Sequence, residues 1–451
     1  MTVHRFTAIP LTPIHIGDGT VLGPEDYRLV DDRLERFAPT AVLRDMLPPA
    51  RKACLDALDR GNLQTAWKLL RESVRPEHVV DRIAVGPAAR QEIRALFEGE
   101  QRKGEIRPVL RSAGRALIPG SSLKGAIRTA VLSALAPGHR SDIEAATRSN
   151  PPPRTGPASD ALQCAVLGHT NTDQDPFRFV KVGDIALPEG ATRIDRVVNW
   201  RPAALSKNDR QPADKMQMIF ERLRAACDGA ECPSGAVLLT VDAEAPRRAA
   251  QLARAKAPSL ELAADQLWRA VNAFHWQLLD DEDERFYAGE PAIRAALDAA
   301  FRVRLPDGRL VERAAIRQHP DLVLLRVGRF GQFESKSVAG FRAGWNAQAK
   351  SPRSMTQGNT RNLARLTDGG DLVPFGWLLL APPGSRAEPS ARATAGAAHG
   401  AAPAVAPARA RRYLLDGEPV VVISRDGDRW MVRLPSGDIE EVDPTELTEQ
   451  P

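Results

Sequence analysis

Residues 118–130 combine residue types that could do chemistry: they read IPGSSLKGAIRTA, with two serines, a lysine and an arginine around two glycines. A nucleotide-binding P-loop needs lysine and a hydroxyl residue directly after its last glycine, whereas Lys124 precedes Gly125 here. Ser121 and Lys124 match the S-x-x-K pattern of penicillin-recognising enzymes, but the chain lacks the Ser-Asp-Asn and Lys-Thr-Gly tripeptides of that chemistry. Neither reading is supported.

Two interpretations of this segment remain. In the first, Gly120 lets the backbone turn and a serine caps a new helix whose free amide groups face outward. Such a helix start binds an anion such as phosphate, and Lys124 and Arg128, one turn apart, add positive charge. In the second, the segment is an ordinary capped helix whose cations are solvated. The distribution of charge along the rest of the chain helps to decide between them.

Positive charge is concentrated in two windows of the sequence. Residues 102–128 contain seven lysines and arginines and one acid, and residues 326–365 contain eight and one acid. Both windows include glycine-rich turns with serines, which let the backbone approach a ligand. Because a solvated surface usually mixes both signs, the windows favour a polyanion such as nucleic acid. The residues predicted to bind nucleic acid are Gly120, Ser121, Ser122, Lys124, Arg128, Arg329, Lys336, Arg342 and His15.

His15 is the residue that comes nearest to a candidate acid–base catalyst. It lies between Ile14 and Ile16, beside the sequence GDG. A lone histidine in a strand-like run is more often a packed, hydrogen-bonded residue than a base. Asp18 could coordinate a metal, but no carboxylate cluster accompanies it. We therefore predict no catalytic residue, no metal site and no cofactor.

The strand and helix patterns that must position these residues interleave up to residue 381, and several hairpin patterns indicate antiparallel pairing. The sequence therefore predicts an α+β fold. Residues 3–11 predict a first strand, and residues 39–99 predict a helical insertion. The strand patterns of residues 178–187 and 192–200 flank the turn PEGA and predict a hairpin.

Two helices are predicted from apolar stripes at helical spacing. The first covers residues 122–135, where Leu123 and Ile127 begin the stripe. The second is marked by apolar residues at intervals of four, three and four, which are Leu267, Val271, Phe274 and Leu278.

The C-terminal part differs in composition from the rest. Residues 382–411 are rich in alanine, proline and glycine without periodicity, which predicts a disordered linker. Residues 412–451 contain short strand patterns with Asp-Gly and Ser-Gly turns, typical of a small SH3-like β-barrel. This module carries ten acids against four arginines, so we expect it to repel phosphate and to bind protein or to serve no binding role.

We expect a cytoplasmic location and no membrane partner. The first 12 residues lack the apolar core of a signal peptide, and the most apolar run, VPFGWLLLA at residues 373–381, is too short to span a bilayer.

Four segments together resemble the RAMP superfamily of CRISPR effector proteins. Within it, their order and spacing most resemble the type III-A (Csm) subunit at the 3′ end of the CRISPR RNA (crRNA). The resemblance covers residues 1–381, and PGSSLKGAIRTA is its most specific element. The segments are TPIHIGDG (12–19), IPGSSLKGAIRTAVLSAL (118–135), RFVKVGD (178–184) and RVGRFGQFESKSVAG (326–340).

The resemblance implies tandem ferredoxin-like (RRM-type) folds, with a first half over residues 1–175 that carries the 39–99 insertion and a second half over residues 176–381. It implies a non-catalytic crRNA-binding subunit that caps the 3′ end of the guide filament and supports crRNA maturation in antiviral defence. The implied partners are the crRNA, the neighbouring backbone and small subunits, and target RNA. The alternative is a RAMP endoribonuclease that processes precursor crRNA with His15 as general base.

RRM-type sheets normally stack bases on aromatic side chains, but only 5% of the residues here are aromatic. We therefore expect loops that follow the RNA backbone rather than contacts that read its sequence, as in a protein that holds a guide.

Overall fold

The computed structural model divides the chain into two compact units, Met1–Thr394 and Ala395–Pro451. The residues that it describes are 2–99, 104–148, 157–169, 174–202, 218–228, 232–242, 244, 262–346, 351–354, 358–367, 371–388, 412–415, 418–426, 429–433 and 439–450.

The first unit contains helices and strands in alternation. Its described helices are α1 (Pro39–Asp45), α2 (Pro48–Asp59), α3 (Leu63–Glu72), α4 (Pro87–Phe97), α5 (Gly120–Leu135), α6 (Arg140–Arg148), α7 (Pro157–Leu167), α8 (Ala264–Glu282), α9 (Pro291–Ala300) and α10 (Arg313–Gln318). Its described strands are β1 (Thr2–Pro10), β2 (Tyr27–Val30), β3 (Arg33–Phe37), β4 (Val79–Val85), β5 (Ile106–Arg107), β6 (Arg111–Ser112), β7 (Arg115–Ile118), β8 (Val180–Val182), β9 (Ile185–Ala186), β10 (Thr192–Trp200), β11 (Ile219–Leu223), β12 (Gly235–Val241), β13 (Arg302–Arg304), β14 (Leu310–Glu312), β15 (Val323–Arg326), β16 (Ala343–Asn346), β17 (Ser351–Ser354), β18 (Arg361–Arg365), β19 (Leu372–Pro374), β20 (Trp377–Ala381) and β21 (Arg386–Ala387).

A five-stranded antiparallel sheet of order β15-β20-β1-β12-β8 forms the centre of this unit. Helices α5 and α8 pack against each other and against strands of this sheet. Along the chain the elements run β1, α5, β8, β12, α8 and β20, which is the β-α-β-β-α-β order of a ferredoxin-like fold. The predicted α+β class is confirmed.

The apolar stripes of the two helices form much of the core. Leu123 and Ile127 of α5 and Leu267 and Val271 of α8 are each at most 1% exposed. The two amphipathic helices predicted from spacing are therefore confirmed, and the apolar stripe of each helix is the side that is buried.

A second sheet has the order β19-β18-β10-β4-β3-β2, and β11 pairs with β10 beside it. The predicted helical insertion at residues 39–99 contains helices α1–α4 and is wrong only at residues 79–85, which form strand β4. In β4, buried Ile83 and Val85 alternate with exposed Arg82 and Ala84, which is the period of a strand. This strand pairs antiparallel with β3 and parallel with β10.

The hairpin predicted across residues 178–200 is also wrong. Strand β8 pairs with β12 in the first sheet, β9 pairs with β7, and β10 belongs to the second sheet. The alternation identified the strands correctly, but their partners lie far away along the chain.

Strands from both sides of residue 175 pair in the first sheet, since β1 lies between β12 and β20. At the other end of the unit, β21 pairs with β13, and the Arg304 guanidinium lies 2.9 Å from each carboxylate oxygen of Glu388. Residues 382–388, which the composition assigned to the linker, therefore pack on the first unit. The rest of the predicted linker, residues 389–411, lies outside the described residues.

In the second unit the described strands form one antiparallel sheet of order β25-β24-β23-β22-β26. The predicted short strands are present, whereas the SH3-like assignment stays a prediction. The strands are β22 (Arg412–Leu415), β23 (Glu418–Asp426), β24 (Arg429–Arg433), β25 (Ile439–Val442) and β26 (Leu447–Gln450). In the described parts of the chain, no helix combines the length and apolar character needed to cross a membrane.

Candidate nucleic-acid interface

Three segments that are distant in sequence meet beside the first sheet: the turn after β1, the turn after β15 and the start of α5. The amide of Arg329 donates to the carbonyl of His15 at 2.8 Å, and the amide of Gly376 donates to the carbonyl of Pro13 at 2.8 Å. These bonds join turns that lie more than 300 residues apart. The two glycine-rich motifs that the sequence singled out therefore form one structural unit.

The three segments enclose a cavity of about 550 Å³, which we call the glycine cavity. No residue among those described around it is acidic. The lining includes Gly17, Gly19, Gly125 and Gly328, the hydroxyl residues Thr20, Ser121, Ser122, Thr129 and Ser335, and the cations Arg107, Arg326, Arg329 and Lys336.

Gly328 is required by both its backbone conformation and its surroundings. Its φ of +89° lies in the left-handed region, and a Cβ atom there would be 2.7 Å from the carbonyl oxygen of His15. Only glycine allows the late turn to approach the early turn this closely. A Cβ on Gly17 would be 3.0 Å from the His15 Nε2, so the early turn is crowded there too.

His15 is buried, as the sequence predicted for a packed histidine, and still lines the cavity. Its Nδ1 lies 2.6 Å from the carbonyl oxygen of Glu221. A carbonyl can only accept, so Nδ1 carries the proton and Nε2 keeps a lone pair in the neutral ring. Burial lowers the pKa of His15, and the positive charges of Arg329 and Arg107 lower it further. The neutral ring can accept a hydrogen bond, for example from a ribose hydroxyl.

The cations of the cavity differ in whether other groups of the protein already bind them. Arg329 is exposed, and its guanidinium lies 5.7 Å from the centre of the Phe220 ring. The Nζ of Lys336 donates a hydrogen bond to the carbonyl of Arg329 at 2.8 Å. The pKa of Lys336 is lowered, mainly by burial and also by the positive charges of Arg326 and Arg329. Arg107 forms no ion pair within the part of the chain that the structure describes. Arg107 and Arg329 can therefore turn toward a phosphate.

The start of α5 differs from the prediction. Its N-cap residue is Pro119, without a side-chain cap, so the expected serine cap is wrong. The amide of Gly120 donates to Asp184 Oδ1 at 2.6 Å, so an internal carboxylate takes one of the amides that we expected to face outward. Gly120 has no left-handed backbone conformation; it is glycine because a Cβ would lie 2.2 Å from the carbonyl oxygen of Val182.

The structure separates the predicted RNA-binding residues into two groups. His15, Ser121, Ser122, Arg329 and Lys336 line the cavity, and the other four, which are Gly120, Lys124, Arg128 and Arg342, do not.

Arg128 and Arg342 contact the protein itself. Arg128 binds Asp175 at 2.7 Å and Gln163 at 2.6 Å, and Arg342 donates to the carbonyl of Glu334 at 3.2 Å. Lys124 is half-buried, which lowers its pKa.

Many cations of the two windows are neutralised by acids from elsewhere in the chain. Buried Arg326 binds Glu282 at 2.7 and 3.0 Å, and buried Arg361 lies 2.7 Å from the same carboxylate. Arg111 binds Glu221 at 2.5 Å. The windows therefore overstated the free positive charge, because a local count cannot include a partner acid that lies far along the chain.

Sequence reasoning missed several cavity residues. Arg107 was counted in the first window but not selected, and Thr20 was not considered. The signal that could have identified them is their position beside turns: Thr20 ends the sequence GDGT, and Arg107 precedes a proline. In the part of the chain that is described, no group of three or more histidine, cysteine, aspartate or glutamate residues could hold a metal ion.

Comparison with known proteins places this arrangement in context. Residues 7–229 match the RAMP superfamily. One chain of a cryo-EM structure of a Csm–crRNA–target RNA ternary complex of a type III-A CRISPR-Cas system is 19% identical with a TM-score of 0.58, covering 84% of this chain and 100% of that chain. The crystal structure of T. onnurineus Csm5 is 17% identical with a TM-score of 0.51, covering 83% and 100%. No curated protein matches. The predicted resemblance is confirmed.

Proposed function

Since residues 7–229 match the RAMP superfamily, we propose that this chain is a non-catalytic crRNA-binding subunit of a type III-A CRISPR effector complex. In this proposal it caps the 3′ end of the guide filament and supports crRNA maturation in antiviral defence. Its partners are the crRNA, the neighbouring backbone and small subunits, and target RNA. The two solved structures that resemble the fold are a chain of a Csm–crRNA–target RNA complex and a Csm5 protein, and they support this assignment.

The observation that carries the proposal is the glycine cavity. Its lining combines glycines, hydroxyl groups and cations without an acidic residue among those described. Glycines let the backbone approach a phosphate, and guanidinium groups pair with phosphate oxygens through two parallel hydrogen bonds. Arg107 and Arg329 reach the cavity from separate segments of the chain, so a bound strand contacts both. Such contacts follow the RNA backbone and leave the choice of sequence to base pairing.

The alternative is a RAMP endoribonuclease that uses His15 as general base, and one observation favours it. Nε2 carries the lone pair on a ring that lines the cavity. Against it, Nδ1 is held by a carbonyl rather than by a carboxylate, which would stabilise the protonated ring that forms during catalysis. Burial also lowers the pKa of His15, which disfavours the protonated ring relative to an exposed histidine. The binding role is therefore the better supported one.

The experiment that tests the proposal uses the whole complex. The chain is co-expressed with the other subunits of a type III-A complex and a guide-encoding array, and the complex is purified through a tag on this chain or, where this chain is left out, through a tag on a neighbouring subunit. The bound RNA is then sequenced. We expect CRISPR-derived guides with uniform 3′ ends, and longer or ragged 3′ ends in complexes purified without this chain. Guides with identical 3′ ends in both preparations would contradict the capping role, and an absence of guides would contradict the whole proposal.

A further inference from the structure

A second concave surface lies outside the glycine cavity and shares no lining residue with it. It has a volume of about 920 Å³ and is formed by β3, β4, the hairpin of β6 and β7, and the turn before β10. We call it the arginine groove, after the six arginines that line it: Arg33, Arg36, Arg82, Arg111, Arg115 and Arg224.

The groove carries an excess of positive charge. The acids that line it are Asp81 and Glu189, so six arginines face two carboxylates. Arg82 and Arg111 are held by internal glutamates, at 2.9 and 2.5 Å. The remaining arginines form no ion pair with any residue that the structure describes, and they are Arg33, Arg36, Arg115 and Arg224.

The rest of the lining fits a phosphate backbone better than a protein partner. No aromatic residue lines the groove among the described residues, whereas the centres of protein interfaces are enriched in aromatic anchors. The other lining residues include small ones such as Ala84 and Ala116, whose side chains are too short to cover the guanidinium groups. Gly114 and Gly190 stand at turns where even a Cβ would meet no atom within 4 Å, so the groove is open on those sides.

The groove lies near the early turn that lines the glycine cavity. Gly17 and Gly19 line the cavity, and Asp18 between them is close enough to Arg36 for its charge to act. Burial alone would raise the pKa of Asp18, but hydrogen bonds from Thr20 and the charge of Arg36 bring it below its usual value. Arg107 in the cavity and Arg111 in the groove are four residues apart, which is at most about 13 Å in an extended chain.

We propose that the arginine groove binds a second stretch of the same single-stranded RNA through its phosphates. The strand leaves the glycine cavity beside Arg107, passes the early turn and continues along Arg33, Arg36 and Arg224. This inference rests on the proposed function, because it extends the RNA path that begins in the cavity.

The test measures binding of the full-length chain to oligouridylates of 6 and 30 nucleotides over a range of salt concentrations. The groove variant is Arg33→Ala/Arg36→Ala/Arg224→Ala, and the same three positions changed to lysine form the charge-retaining variant. The cavity variant is Arg107→Ala/Arg329→Ala. A matched control removes three exposed arginines that line neither surface and form no ion pair with any residue that the structure describes: Arg5, Arg60 and Arg94.

For the groove variant we expect the log–log salt slope for the 30-mer to flatten by about 2 units, at roughly 0.7 per lost phosphate contact on a single strand. Binding of the 6-mer should change less than twofold, because the cavity still holds it. The lysine variant should keep the wild-type slope, which excludes misfolding as the cause, and the control triple variant should also keep it.

The possible outcomes distinguish the two proposals. A groove variant that binds the 30-mer like the control would overturn the groove assignment, while loss of binding in the cavity variant would leave the proposed function intact. If neither variant binds RNA less well, both proposals fail. If the groove variant binds RNA normally but no longer co-purifies with neighbouring subunits, the groove is a protein interface and the RNA assignment is wrong.

Discussion

Among single residues, His15 both stabilises the fold and lines the candidate RNA site. Its carbonyl receives the amide of Arg329, its Nδ1 donates to the carbonyl of Glu221, and its ring packs edge-on against Phe220 at 4.9 Å. One side chain and its backbone thus join three separate segments. This explains why a histidine stands in an apolar run without requiring it to act as a base.

Replacement of His15 by asparagine separates the two roles. An asparagine amide can still donate to the Glu221 carbonyl, but it cannot accept a proton as a base. We expect His15→Asn complexes to assemble and to carry guides with unchanged 3′ ends. His15→Ala, which loses the hydrogen bond and the packing, should lower the free energy of unfolding by about 2–4 kcal/mol. Longer, unprocessed guides in an assembled His15→Asn complex would favour the nuclease.

Two glycines of α5 provide a second prediction because they stand in opposite surroundings. A methyl group at Gly120 would collide with the Val182 carbonyl, whereas one at Gly125 would meet no atom within 4 Å. We expect Gly120→Ala to lower the free energy of unfolding by about 1–3 kcal/mol, because backbone must shift. Gly125→Ala should raise it by about 0.5–1 kcal/mol, since alanine favours a helix interior. Equal effects in thermal unfolding would contradict this geometry.

At the scale of elements, a buried ion-pair network fixes the late turn to α8. Glu282 near the end of α8 binds Arg326 at the end of β15 and also Arg361 on β18. Arg361 in turn contacts Glu334, which lies in the late turn, at 3.0 Å. The network therefore positions the residues that follow β15, including Arg329 and its neighbours in the cavity.

Glu282→Gln should be strongly destabilising, because it leaves two buried guanidinium groups without their shared carboxylate. We expect a loss of about 3–5 kcal/mol in the free energy of unfolding. Asp280→Asn on the same helix is the matched control, since its partner Arg317 is exposed and such pairs are worth about 0–1 kcal/mol. Denaturant unfolding measures both variants. Similar small losses in both would mean that the network does not hold the turn.

The helices and the strand pairings differ in how well the sequence predicted them. Helices α5 and α8 could be predicted because their apolar residues recur every three or four positions, so the pattern involves only residues that are close together in the sequence. The partners of β8 and β10 could not be predicted, because pairing joins residues far apart and the turn PEGA looked like a hairpin. The prediction of a helical insertion was wrong at β4 for a related reason. The alternating pattern of this strand is short, and the helical patterns on both sides of it are longer.

Across the whole first unit, the candidate site depends on long-range contacts, because strands from both ends of the unit pair in one sheet. β1 pairs with β12 and β20, and this pairing brings the early and late glycine turns together. The motifs themselves were visible in the sequence, and Arg329 was predicted from one of them, whereas Gly120, the one glycine predicted as a site residue, does not line the cavity. The free charge of the two sequence windows could not be predicted, because Arg111, Arg326 and Arg361 are neutralised by distant acids.

If RNA phosphates bind in the glycine cavity, the Arg107→Ala/Arg329→Ala variant will bind RNA with a weaker dependence on salt than the wild type. The control is Arg60→Ala/Arg94→Ala, which removes two exposed arginines that line neither surface and form no ion pair among the described residues. At matched thermal stability, we predict that the log–log slope for a 6-nucleotide oligouridylate falls by about 1.4 units in the cavity variant, from two lost phosphate contacts, and stays unchanged in the control. An unchanged slope and affinity in the cavity variant would contradict the account.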